Sequence, residues 1–243
     1  MLFTLITVTL NSQKTILKTI NSINNQTYEE FEYIIIDGGS SDETLQIIKK
    51  NLKKNYFLIS EKDRGIYSAM NKGIKLSNGR YVAFLNSDDW LENDVLLKVS
   101  KFIEKENPSV IYGDAKFYKK NRIFSFYAKA NLKKLKKNMS LLHSSFYVQK
   151  EIIKKNLFDE NLIISSDYKQ MLNLKKNYQF RYLPQSLSNV SMGGKSSDLL
   201  LSSKEFFLIQ RKEFGIFNST LNYILKYHYH IIKIIFLYFK SFF

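Results

Sequence analysis

The chain has 243 residues, 44% of them hydrophobic, which is enough for one large domain or two small ones with a real core. It carries no cysteine, so a disulfide framework and thiolate metal sites are excluded. A formal net charge of +15 calls for a polyanionic neighbour (nucleic acid, a phosphorylated substrate or an anionic lipid surface), and charge alone does not choose among them.

Met1 to Val8 lacks the basic region, long apolar core and cleavage site of a signal peptide, and reads as a first strand from Phe3 to Val8. Helical and strand patterns then alternate. Gln13 to Asn24 is predicted helical, Tyr33 to Asp37 a strand, Asp42 to Lys50 helical, Tyr56 to Ser60 a strand, and Ile66 to Lys75 helical. Tyr81 to Leu85 is a buried strand by its aromatic and β-branched content, and Asp94 to Lys105 closes the series as a helix. This alternation predicts an α/β fold, a Rossmann-like and mostly parallel central sheet with flanking helices, whose ligands bind beyond the carboxyl ends of the strands.

Those ends carry polar residues of one kind: Thr9 and Asn11, then Asp37 to Asp42, then Glu61, Asp63 and Arg64, then Asp88 and Asp89. Each alone is compatible with a turn or a helix cap, and Asp88 or Asp89 is a candidate cap for the helix at Asp94. All four together predict one crevice. Adjacent aspartates repel each other, and a Mg²⁺ or Mn²⁺ ion between them and a pyrophosphate relieves that repulsion, because these ions take hard oxygen ligands.

After Tyr112-Gly113-Asp114 the alternation stops. Lys116 to Tyr118, Ile123 to Tyr127 and His143 to Val148 are strand candidates, and a helix runs from the region of Asp167 through Leu174. From Tyr223 to Phe243 the chain is apolar and aromatic, with Lys226, Lys233 and Lys240 recurring every seven residues, which puts the lysines near one side of a helix. Its uncharged runs are too short to span a bilayer, so it reads as an in-plane helix on an anionic membrane surface, with packing on the domain itself or on a partner chain as the alternative.

The motifs Ile6-Thr7-Val8-Thr9-Leu10-Asn11, Tyr33 to Asp42, Glu61 to Ile74, Asn78-Gly79-Arg80-Tyr81 and Leu85-Asn86-Ser87-Asp88-Asp89 resemble, in order and spacing, the family 2 glycosyltransferases of the GT-A fold. The resemblance divides the chain into a nucleotide-sugar-binding half at 1–114, an acceptor-binding half of the same domain at 115–200, and C-terminal helices at 201–243. It implies that Thr9 and Asp37 serve the nucleoside, with Asn11 in the same donor-binding set, that Asp63 and Arg64 serve the nucleotide and its phosphates, and that Asp88 faces the ribose or donor sugar; Asn71 and Lys72 on the next helix are open between the donor and a solvated or packing role. Asp89 would ligate Mn²⁺ or Mg²⁺, and Asp167 would be the catalytic base, a role set against that of a simple helix cap. Ser87 stands at the first position of the family's Asp-x-Asp motif, which leaves Asp89 as its protein ligand. Asn156-Leu157 replaces the glycine usual before Phe158-Asp159-Glu160, and asparagine's tolerance of a left-handed backbone lets the turn survive. His143 is open between a place near the metal, phosphates or acceptor and a structural role.

The expectation is therefore an inverting transfer from a UDP-sugar to a lipid-linked or growing glycan acceptor in surface polysaccharide synthesis. The enzyme would sit in the cytoplasm, peripheral to the inner face of the membrane, without nucleic acid and with self-association left open. Its rivals are a basic nucleic-acid-binding protein, whose converging aspartates would repel phosphate, and an inactive nucleotide-binding relative. A dinucleotide oxidoreductase is disfavoured because Thr9 to Gln13 has none of the required glycines.

Overall fold

Seven consecutive buried residues form the central strand β1 (Phe3–Thr9). Continuous burial is what a strand covered on both faces requires. The computed structural model describes residues 1–53, 56–119, 123–193 and 198–240, with the side chains at 199, 221 and 223–240 outside the description. It divides into two compact units, Met1–Gly194 and Lys195–Phe243.

The first unit is an α/β sheet flanked by helices. After β1 come α1 (Ile16–Asn24), β2 (Phe31–Asp37), α2 (Thr44–Asn51), β3 (Tyr56–Ser60), α3 (Ile66–Leu76) and β4 (Tyr81–Phe84). The short β5 (Trp90–Leu91) precedes α4 (Val95–Glu106), β6 (Val110–Tyr118), β7 (Phe124–Ala128), β8 (Phe146–Gln149), α5 (Lys150–Lys155), α6 (Ser166–Asn177) and β9 (Phe180–Ser191). The sheet order is β3-β2-β1-β4-β8-β6-β9-β5, with β7 paired to β6. β3, β2, β1 and β4 are parallel, as are β6 and β9, while β8 lies antiparallel between β4 and β6. By paired length the sheet is mostly parallel.

Register positions the site. Thr9 lies opposite Asp37, and Asp37 opposite Ser60, so three polar residues line up across the carboxyl edge of β1, β2 and β3. The chain runs outward from β1 through β2 to β3 and then returns to place β4 on the other side of β1. At such a reversal in an open α/β sheet the ends of β1 and β4 are where a ligand crevice is expected.

One face of the sheet packs Phe3, Leu5, Tyr33, Ile35, Tyr81 and Ala83 against Ile16, Ile20 and Ile23 of α1, Ile48 of α2 and Val95, Val99 and Ile103 of α4. α3 packs along β1 and β2 with Met70 and Ile74 buried. At the amino edge Glu32 accepts from Thr4 Oγ1 (2.5 Å) and from the backbone N–H groups of Asn78 (2.6 Å) and Gly79 (3.2 Å), so the Asn78-Gly79 turn is a structural clasp.

Three elements differ from the sequence reading. β5, α5 and β9 were not expected, and β9 is the longest strand of the second half. α4 begins at Val95 behind Asp94, whose side chain makes no capping bond, so neither Asp88 nor Asp89 caps it. Asn156 ends α5 at φ −129°, not in the left-handed region, and its Nδ2 donates to Ile152 O (2.8 Å), so the turn survives by a side-chain bond.

The second unit is helical, α7 (Leu199–Lys240), interrupted at Gly215, whose φ of 81° and ψ of 166° are non-helical. The expected lysine stripe at 226, 233 and 240 lies outside the residues whose side chains are described. Among the described residues, no helix is long and apolar enough to cross a membrane.

Candidate active site

The loops after β1 and β2 are laced into one wall. Asn11 takes a left-handed φ of 50°, its backbone N–H donates to Ser40 Oγ (2.8 Å), and its Oδ1 accepts from Ser41 N (2.9 Å). An asparagine tolerates that backbone better than most residues. Ser12 N donates to Thr44 Oγ1 (2.7 Å), and Ser12 Oγ pairs with Ser87 Oγ at 2.8 Å, which ties this wall to the loop after β4. Ser87 thus has a positioning role at the place where an aspartate would stand in the family motif.

Asp37 is fully buried. Its carboxylate accepts from Gly39 N (3.1 Å), Ser40 N (2.9 Å), Ser40 Oγ (2.5 Å) and Ser60 Oγ (2.7 Å), which accounts for about four lone-pair positions. It organises the β2 loop from below. Thr9 presents the opposite case, a buried Oγ1 with no hydrogen-bond partner. An orphaned hydroxyl at a strand end is costly unless a ligand satisfies it.

The same holds for Asp63, whose Oδ1 is bound by Lys72 Nζ (2.6 Å) while its buried Oδ2 has no partner. Lys72 also contacts Glu61 Oε1 at 2.5 Å. Burial lowers the Lys72 pKa, but the bonds to Asp63 and Glu61 outweigh it and hold the ammonium above its ordinary value. Lys72, expected to serve the donor, is ion-paired here with both carboxylates.

Asn71 is engaged in the same region. It is buried, its Nδ2 donates to Phe158 O (3.0 Å) and Glu160 Oε1 (3.0 Å), and its Oδ1 accepts from Phe158 N (2.9 Å). Both amide atoms bond the 158–160 loop, so Asn71 positions that loop. Arg64 is exposed, and its Nη2 meets Glu160 Oε2 at 2.7 Å.

At the end of β4, Asp89 is buried and Asp88 half-buried. Burial and then the Asp88 charge push the Asp89 carboxyl well above the usual range, against the Ser191 N–H (3.0 Å) and the Asn86 amide (3.4 Å) that pull it down. Burial raises Asp88 as well. Neither carboxylate holds a full negative charge comfortably, and a cation would relieve both. Asn86 Oδ1 is a further buried oxygen without a partner. Among the described residues no group of three or more His, Cys, Asp or Glu side chains is arranged to hold a metal. This oxygen-only set fits Mg²⁺ or Mn²⁺, which are commonly held by one or two carboxylates plus substrate phosphates. Ser191, at the end of the unforeseen β9, was invisible as a site residue because its backbone amide is what acts.

An aromatic cluster joins this point to Asp167. Phe84 stacks on His143 at 4.7 Å, both meet Phe158 edge-on at 5.4 Å, and Phe158 stacks on Tyr67 at 5.4 Å. The Tyr67 hydroxyl donates to Ile164 O and, at 3.4 Å, to Asp167 Oδ1, which also accepts from Tyr168 N (2.8 Å). Asp167 stands in the first turn of α6, where the helix dipole favours its negative charge. Burial lowers the His143 pKa to about 4, so this ring is neutral at pH 7 and acts as an aromatic spacer.

Residues 4–172 match the model of glycosyl transferase family 2. A PGL/p-HBAD biosynthesis glycosyltransferase of Mycobacterium tuberculosis is 40% identical over 118 residues, covering 46% of each chain, so this chain spans about half the length of that relative. The Escherichia coli UDP-Glc:alpha-D-GlcNAc-diphosphoundecaprenol beta-1,3-glucosyltransferase WfgD is 28% identical over 72% of this chain and 70% of its own. Staphylococcus aureus TarS 1-349, solved in complex with UDP-GlcNAc, superposes with a TM-score of 0.71 at 24% identity, covering 87% of this chain and 65% of TarS, a likeness of fold.

Proposed function

Since this chain belongs to the family 2 glycosyltransferases, we propose that it transfers a sugar from a UDP-sugar to a glycan or polyprenyl-diphosphate-linked acceptor with inversion, using Mn²⁺ or Mg²⁺ at Asp89. The observation that carries this is the crevice at the sheet reversal. There, two carboxylates raised above their usual pKa range adjoin an unpartnered Asn86 oxygen. UDP as the carrier is supported by the donor named for WfgD and by the ligand in TarS.

Thr9 Oγ1 and Asp63 Oδ2, both without partners, hold the nucleoside, and Asn11 and Asp37 keep the loop around it in shape. Arg64 leaves Glu160 for the diphosphate, to which its guanidinium offers a fork of donors. Asp88 faces the ribose or donor sugar. Bound at Asp89, the divalent ion supplies Lewis-acid stabilisation to the leaving diphosphate. Asp167 accepts the proton of the acceptor hydroxyl as its oxygen forms the new bond at the anomeric carbon and the bond to UDP breaks on the opposite side. One displacement inverts that centre. Surface polysaccharide or glycolipid synthesis at the inner face of the membrane is the setting that fits a lipid-linked acceptor and the 223–243 stretch.

The test is UDP, GDP or dTDP release from a panel of nucleotide sugars with and without Mn²⁺, comparing wild type with Asp89→Ala and Asp167→Ala. Metal-dependent UDP release lost in both variants supports the reading. Absence of nucleotide binding under any condition overturns it.

A further inference from the structure

β7 is an edge strand whose large side chains are exposed on both of its faces. Phe124, Phe126 and Tyr127 are 52%, 45% and 48% exposed, and Ile123 just before it is 57% exposed. Successive residues of a strand point to opposite faces. Phe126 stacks on Phe117 at 4.6 Å, while the next residue, Tyr127, points the other way and donates its hydroxyl to Asp114. A solvated sheet edge carries polar side chains on at least one face, and a protein groove would cover only one. A ribbon that is aromatic on both faces suits a medium that surrounds it.

The charge pattern identifies that medium. Residues 115–150 contain ten lysines and arginines and no aspartate or glutamate. Lys119 and Lys129 flank the ribbon and are exposed, and Lys133, Lys134 and Lys137 are exposed in and beside the 3-10 turn Leu132–Lys136. Aromatic side chains with a basic surround match the boundary between acyl chains and anionic headgroups.

Position supports the same partner. β6 runs parallel to β9 and antiparallel to β8, which is itself antiparallel to β4, so the β6–β7 ribbon leaves the sheet on its carboxyl side. At its root Tyr118 packs on Trp90 with ring centroids 4.8 Å apart, and Trp90 follows Asp89. We propose that the β6–β7 hairpin enters the headgroup region of an anionic bilayer and sets the crevice beside that surface, a contact separate from residues 223–243. The location rests on this surface alone; its meaning for a lipid-linked acceptor rests on the transferase reading above.

The test is flotation of the full chain with phosphatidylcholine vesicles made with and without phosphatidylglycerol. The Phe124→Ser/Phe126→Ser variant should bind the anionic vesicles at least about tenfold more weakly than wild type, since two aromatic rings no longer leave water. The variant should remain folded by circular dichroism, and its metal-dependent UDP binding should match wild type, which separates this proposal from the donor reading. The cysteine-free chain permits a direct readout: an environment-sensitive dye on Phe126→Cys should shift to the blue on vesicle binding, and one on Glu30→Cys, at the amino edge, should not. The proposal is overturned if wild type does not float, if the serine variant floats equally well, or if the dye at position 126 is unmoved on bound vesicles. It is also overturned if the variant merely converts a soluble dimer to a monomer.

Discussion

Asn71→Ala offers a sharp test of the positioning network, because the structure fixes what is lost. Three hydrogen bonds disappear, two of them to the backbone N–H and C=O of the buried Phe158. Each buried backbone group left without a partner costs about 1–3 kcal/mol, so the variant should be roughly 2–4 kcal/mol less stable. For a chain of this size that is a fall of about 5–15 °C in melting temperature, readable by circular dichroism or scanning calorimetry. The kinetics add a second criterion. Phe158 stacks on Tyr67, which holds Asp167, so kcat should fall by about tenfold or more while the KM for the donor changes little. A melting temperature within about 1 °C of wild type would refute the network. A raised donor KM with kcat intact would make Asn71 a donor contact after all.

Asp89→Asn should stabilise the cation-free protein, because it removes a charge that burial and Asp88 oppose. The raised folded-state pKa means that wild-type stability is greatest below the ordinary carboxylate pKa and is lost as pH rises through the higher folded value; the variant should show a flatter slope in denaturant melts with EDTA, and a lower stability would contradict this. His143 behaves oppositely. With a folded pKa of about 4, its neutral form is favoured, so stability should decline as pH falls from about 6.5 toward 4, and His143→Phe should remove that part of the decline. Gly79→Ala should cost about 1–3 kcal/mol in the same melts, because a Cβ there would lie 2.3 Å from Phe3 C and 2.5 Å from Thr4 N. Wild-type stability in that variant would mean that β1 yields to it.

The first half of the fold was legible because its signals are local. Phe3–Thr9, Tyr56–Ser60 and Tyr81–Phe84 are apolar runs that end in polar loops, and the expected carboxyl-end crevice follows from their parallel order. β9 was not legible: serines, Asn189 and Pro184 conceal its strand character. Its register jumps from Leu183 opposite Gly113 to Ser186 opposite Asp114, so Pro184 falls in a bulge where its missing N–H costs no ladder bond. Gly113 makes that bulge possible, since a Cβ would lie 2.6 Å from the Leu187 side chain. Within the site, carboxylates could be placed from sequence, but their partners could not. That Lys72 pairs with Glu61 and Asp63, and Arg64 with Glu160, depends on contacts across 9 to 96 residues of chain.

The central claim is that the β1–β4 crevice holds a nucleoside diphosphate through Asp89 and a divalent cation. Calorimetric titration of UDP into wild type and Asp89→Asn, each with Mn²⁺ and with EDTA, measures this directly. The account predicts binding by wild type that requires the cation and is weakened at least about tenfold in the variant. Equal binding by both proteins, indifferent to the cation, would contradict it.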